Sequence, residues 1–209
     1  IDSGDLLPLS LKKTTKDVIL QKVNFDKKSE IKALEKVSLS SKKVTNWQPY
    51  KKVPFGTKGE TRDMRAFLNN GGEIKFRHDP SAKRFVAEFI GGGAEARGGS
   101  IGSIKLFCEL FALVDKETSK QVLKEYQEGE IQYFTDLKLI ENLRGKDKKL
   151  FDHERGAISA MNIINRIMPI LKNWFQKTDK KKVDDFIRII FQYITSRTPL
   201  SGKFVIAKG

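Results

Sequence analysis

The sequence predicts an α+β protein, with a small mixed sheet built mainly from the N-terminal half and packed against a C-terminal helical bundle. Three observations carry this reading. In GEIKFRHD, Ile74 and Phe76 alternate with Glu73, Lys75 and Arg77, the period of two that marks a strand with one apolar face. Past residue 103 the apolar spacing becomes helical, as in Ile104, Phe107, Leu110, Phe111 and Val114. Turn-forming residues punctuate the first half, at Asn69 to Gly72 and at Asp79, Pro80 and Ser81. A chain of 209 residues is long enough for one substantial core. Residues 1–100 read as a strand-rich basic half with a glycine-rich loop, and residues 101–209 as a helical half ending in a short strand.

In chain order, LPLSLKK and VILQKVNF are two apolar, β-branched runs, expected to pair as neighbouring strands. EIKALEKV follows, with Ile31, Leu34 and Val37 at helical spacing. Residues 38–58 lack periodicity and carry Pro49, Pro54 and Gly56, which predicts an extended loop. Its Trp47, Tyr50 and Phe55 stand among Lys42, Lys43, Lys51 and Lys52, an arrangement that serves either base stacking or anchoring of the loop to the core. Thr61 to Asn69 reads as a helix stopped by Asn69, Asn70, Gly71 and Gly72. GEIKFRHDPSAKRFVAEFIG gives two strands around Asp79 to Ser81.

The helical half opens with the Ile104 stripe. A shorter stripe at Val122, Leu123 and Tyr126 follows, then a separate helix over Ile131 to Leu143 and the basic turn GKDKK. Ile158, Met161, Ile164, Ile167, Met168, Leu171 and Phe175 line a longer helix expected to bend at Pro169. Val183, Phe186, Ile187, Ile190 and Ile194 line the last helix, whose Lys180 to Lys182 start is expected to be solvated. KFVIAK is expected to return as a strand to the N-terminal sheet.

Forty Lys and Arg against twenty-six Asp and Glu leave a net charge of +14, which favours a polyanionic partner. Nucleic acid is the expected partner, DNA ahead of RNA, with a homo-oligomer or larger assembly as a further expectation. A single cysteine, Cys108, excludes an internal disulfide and a multi-cysteine zinc site, and its apolar helical setting predicts a buried thiol. The two histidines, His78 and His153, read as a strand-end residue and a residue at a helix start capped by Asp152. No apolar run reaches the ~18 residues of a membrane span, and no signal peptide is visible. The expected location is therefore intracellular, in host cytoplasm or in a virion. A chain beginning at Ile1 in place of Met reads as a processed or truncated piece.

IGGGAEARGGSIGS, residues 90–103, follows an expected strand and enters an expected helix. Backbone N–H groups in that context can hold phosphate oxygens, and Arg97 beside Gly98 and Gly99 adds a fork-shaped cation. The segment matches neither the Walker loop nor the dinucleotide fingerprint. Lys13, Lys51 and Lys52 join Arg97, Gly98 and Gly99 as the expected nucleic-acid contacts, and a plain hinge is the alternative for the glycines.

SLKK, at Ser10 to Lys13, resembles the strand of the PD-(D/E)XK nuclease superfamily in its Ser-x-Lys form. GDLLPLSLKK together with ARGGSIG, Ala96 to Gly102, also resembles a group of tailed-phage proteins. The resemblance implies a phage or mobile-element nucleic-acid protein of nuclease-like fold that hydrolyses phosphodiesters with Mg2+. Lys12 would position the attacking water, Ser10 would orient a ligand, and Glu30 would bind the metal. It also implies that the first acid lies in a segment ahead of this chain, so that the site is incomplete here. A rival frame within the sequence is Glu73-Ile74-Lys75 with Asp63 and Glu88. The reading from a different class is a non-catalytic structural or packaging protein of a nucleoprotein assembly.

Overall fold

The computed structural model describes residues 19–21, 37–44, 47–57, 63–79, 84–91, 97–196 and 206–208. Its centre is a five-stranded sheet in the order β2-β3-β4-β5-β6, formed by β2 (Leu39–Val44), β3 (Met64–Leu68), β4 (Glu73–Asp79), β5 (Arg84–Ile90) and β6 (Arg97–Ile101). Each strand pairs with the next in sequence, and every pairing is antiparallel where a mixed sheet was expected. The short connections from β3 to β4 and from β4 to β5 require this, because only antiparallel neighbours can be joined by tight turns. A separate pair joins β1 (Ile19–Gln21) to β7 (Ile206–Lys208), so the C-terminal strand does return to the N-terminal part of the chain.

The helical half contains α1 (Ile104–Ala112), α2 (Lys116–Leu139), the one-turn α3 (Leu143–Lys146) and α4 (Lys148–Ser159). A π turn (Ala160–Ile164) then leads directly into α5 (Asn165–Lys177), and α6 (Lys180–Ser196) follows. The α+β class thus stands. One hydrophobic core draws on both halves of the chain, from Val37 to Ile194. At its middle Phe107 meets Phe85 at 4.9 Å and Phe186 at 5.8 Å, and Phe111 meets Trp174 at 4.8 Å. Edge-to-face arrangements of this kind satisfy the ring quadrupoles.

The stretch expected as a helix over 61–69 contains strand β3. Met64, Ala66 and Leu68 are buried while Arg65 and Phe67 are half-buried, so the period is two. Helix-forming residue types were overridden by pairing with β4. The Asn-Asn-Gly-Gly stop is a hairpin turn: Leu68 N donates to Gly72 O at 2.8 Å, and Gly71 takes φ +82°. That φ suits glycine, which has no Cβ to clash.

Residues expected as loop include strand β2, whose position is fixed from a distance. Leu39 N donates to Asp184 Oδ1 at 2.9 Å and Ser38 N to Asn69 Oδ1 at 3.1 Å, while Val37 O accepts from Arg188 Nε at 3.0 Å. Local periodicity carries no trace of such partners.

The two helices expected across residues 122–143 are largely one, α2. Gly129 lies inside it, where a Cβ would overlap the carbonyl oxygen of Asn162 in the π turn. The glycine therefore brings two helices into close approach. Pro169, where a bend was expected, lies inside α5, and the π turn precedes that helix. Met161 lies in the π turn and is 42% exposed where a buried position was expected. His153 lies in mid-helix, because the cap of α4 is Asp147, whose Oδ1 accepts from Leu150 N at 3.0 Å. Asp152 instead pairs with Arg155 at 2.9 Å.

Candidate nucleic-acid interface

Residues 47–57 run along α4, the π turn and α5. Trp47 is buried, and its carbonyl accepts from Lys172 Nζ at 3.4 Å. Asn165 holds the backbone of Tyr50 on both sides: Tyr50 N donates to Oδ1 at 2.8 Å, and Nδ2 donates to Tyr50 O at 2.9 Å. Lys52 Nζ pairs with Glu154 at 2.7 Å, and Val53 O lies 3.0 Å from His153 Nε2. The chain then turns at Pro54 to Thr57. Thr57 N and Oγ1 both donate to Pro54 O, at 3.1 and 2.6 Å, and Gly56 has φ +83°. A glycine of positive φ at the third position makes this a type II turn.

The turn projects Phe55 outward. Its ring stands edge-on to His153, with centroids 5.5 Å apart and planes at 72°, yet it remains 49% exposed. Exposed lysines lie on the loop that carries it and at the start of α4, the helix of His153. Lys51 lies on the same exposed loop, and Lys149 precedes His153 by four residues, which puts the two on one helix face about 5–6 Å apart at Cβ. Lys146 and Lys148 complete the basic corner, and all four lysines are exposed. Among the described residues none of the four has a carboxylate partner. Lys148 and Lys149 occupy the first turn of α4, the end where backbone N–H groups already disfavour cations. Asp147 offsets only part of that cost.

Of the expected contacts, Lys51 and Lys52 belong to this surface. Arg97, Gly98 and Gly99 lie on β6, where Arg97 pairs with Ile90 and the register shifts before Ser100 pairs with Glu88. Ser103 caps α1, its Oγ accepting from Leu106 N at 3.4 Å. Ser10, Lys12, Lys13 and Glu30 lie outside the described residues, as does the EIKALEKV helix apart from Val37. Sequence reading missed the lysines of the GKDKK turn as partners of the loop. The signal available was their density, and what it lacked was the fold that sets the loop beside α4.

The rival Glu73-x-Lys75 frame comes together as an ionic lattice on the outer face of the sheet. Arg65 lies 3.9 Å from Asp63 and 3.7 Å from Glu73, Lys75 lies 3.4 Å from Glu73, and Arg77 lies 2.9 Å from Glu88. Burial raises the Asp63 carboxyl above its ordinary range, against the lowering influence of Lys75, Arg65 and Arg77. Asp63, Glu73 and Glu88 are thus each engaged by an arginine or a lysine. Among the described residues no three metal-ligating side chains converge.

His78 is buried and its Nε2 lies 3.2 Å from Ser159 Oγ, which links β4 to the last turn of α4. Cys108 is buried as expected, and burial pushes its thiol up to about 11, which suits an inert core position. Among the described residues no helix is long and apolar enough to cross a membrane.

No family model, curated protein or solved structure gives a significant match to the chain.

Proposed function

We propose that the protein binds nucleic acid through the corner formed by the residue 47–57 loop and the start of α4. The observation that carries this reading is an exposed aromatic ring, Phe55, held on a hydrogen-bonded turn against His153, where the loop (Lys51) and the start of α4 carry exposed lysines with no carboxylate partner among the described residues. Aromatic faces accept bases and ammonium groups accept phosphates, so the two side-chain types together match a polynucleotide better than either matches a neutral ligand. The net charge of +14 adds long-range attraction for the same partner. Lysines at the positive end of a helix weaken that helix, and an anionic partner accounts for their placement. The proposal is of binding. Mg2+-dependent cleavage rests on Ser10, Lys12 and Glu30, outside the described residues.

The test is a titration of labelled oligonucleotide across a range of salt concentrations. Binding that weakens linearly in log K against log salt is the expected result, since phosphate contacts release counterions. An absence of binding at low salt, or affinity indifferent to salt, would overturn the reading.

A further inference from the structure

We infer that the ligand of this corner is single-stranded, with one base stacking on Phe55 and the flanking phosphates meeting Lys51 and Lys149. The inference rests on the nucleic-acid reading above and narrows it. Phe55 occupies the second position of the Pro54 to Thr57 turn, where the turn itself makes no demand for an aromatic side chain. The ring is not disordered decoration. Asn165 fixes the chain ahead of it through the backbone N–H and C=O of Tyr50, and the His153 ring lies 3.0 Å from Val53 O, two residues before it. Thr57 closes the turn with two hydrogen bonds to Pro54 O. His153 supports the ring edge-on, which orients it while half of its surface stays open.

A duplex keeps its bases stacked on one another and presents phosphates and groove edges. It would use the lysines and leave Phe55 idle. A single strand has open base faces, and stacking on a pre-oriented ring makes little demand on base identity. The loop supplies that ring and the Lys51 cation within one short segment, Lys51 to Phe55, and the start of α4 supplies further cations.

The experiment compares a roughly 12-nucleotide oligo-dT, within the usual site size of single-strand binders, with a duplex of equal length. The wild type, Phe55→Ala and Phe55→Trp are measured at fixed salt. The expected result is that Phe55→Ala weakens oligo-dT binding about ten-fold or more, leaves weaker duplex binding unchanged and leaves the circular dichroism spectrum unchanged. Phe55→Trp should retain affinity, and its fluorescence should be quenched by oligo-dT and not by duplex. Duplex binding as tight as single-strand binding, or equal losses for both ligands in Phe55→Ala, would overturn the single-strand inference and leave the basic corner as a binding surface. If neither ligand binds the wild type, the underlying reading fails as well.

Discussion

Asn165 clasps the backbone of Tyr50: its Oδ1 accepts from Tyr50 N at 2.8 Å and its Nδ2 donates to Tyr50 O at 2.9 Å. This side chain imitates a strand neighbour for a segment that has no strand to pair with, and it follows directly on the π turn. The same stretch of helix sends Ser159 to His78 on β4 and Asn162 Nδ2 to Asp136 on α2, at 2.7 Å. Three polar residues around the extra helical residue thus tie down three different elements. Asn165→Asp keeps the acceptor and turns the donor into an oxygen facing the Tyr50 carbonyl. We expect a loss of about 1–3 kcal/mol in urea unfolding, and faster proteolysis within residues 47–57. An unchanged unfolding midpoint would show that the clasp is dispensable.

Gly129→Ala should destabilise the chain by about 1–3 kcal/mol. Alanine favours an exposed helix interior over glycine by roughly 1 kcal/mol, so the sign here is set by the Asn162 carbonyl that the Cβ would meet. Gly145, with nothing within 4 Å of its would-be Cβ, is the control. Thermal unfolding of the two alanine variants checks this, and a stabilised Gly129→Ala would contradict the close approach of α2 and the π turn.

Asp115 contributes to acid stability. Burial on its own would raise its carboxyl, but hydrogen bonds from Thr118 N, Lys182 and Trp174 outweigh that and hold it at about 2, below the ordinary 3.8. A depressed pKa means that the folded state favours the charged form. Its contribution is therefore full above pH 3.8 and fades as the pH falls toward 2. Asp115→Asn should be less stable than wild type near neutrality, and the difference should close between about pH 4 and pH 2. Parallel denaturation curves at several pH values measure this; a gap that stays constant down to pH 2 would remove Asp115 from the account.

Asp184→Ala leaves the Leu39 amide without its acceptor and Lys180 without its 2.6 Å partner. Loss of about 1–3 kcal/mol is expected for the buried amide. Hydrogen exchange should accelerate at Leu39 before it does in β4, because β2 is an edge strand held from outside by α6. Uniform exchange across the sheet would mean that pairing with β3 suffices.

Lys148→Ala with Lys149→Ala should weaken oligonucleotide binding and reduce the salt slope by roughly 0.7 for each phosphate contact removed from a single strand. Weaker binding with an unchanged slope would place these lysines away from the phosphates.

Sequence and structure part company at identifiable places. The β4–β5 hairpin was legible because its alternation, Ile74, Phe76 and His78 inward against Glu73, Lys75 and Arg77 outward, follows from backbone geometry alone. The apolar stripe of α6 was legible for the same reason, with Val183, Phe186, Ile187, Ile190 and Ile194 all buried. The burial of Cys108 was also legible from its helical setting. In contrast, β3 read as a helix because its residue types favour one, and only pairing with β4 selects the strand. Strand β2 was invisible because Asp184 and Arg188, which hold its start, lie some 145 residues away or more in the chain.

The candidate site divides in the same way. Sequence supplied Lys51, Lys52, an aromatic among them, and the density of the GKDKK turn. It also pointed to Arg97, Gly98 and Gly99 as a loop, and β-pairing drew them into a strand. Which of Trp47, Tyr50 and Phe55 would remain open to a ligand was settled by packing: the first is in the core, the second is clasped by Asn165, and the third is exposed at the turn. Composition and local periodicity determine charge and the faces of individual elements, because these depend on neighbours a few residues apart. Tertiary structure decides which faces meet, because a contact such as Asn165 with Tyr50 joins residues that no short-range pattern relates.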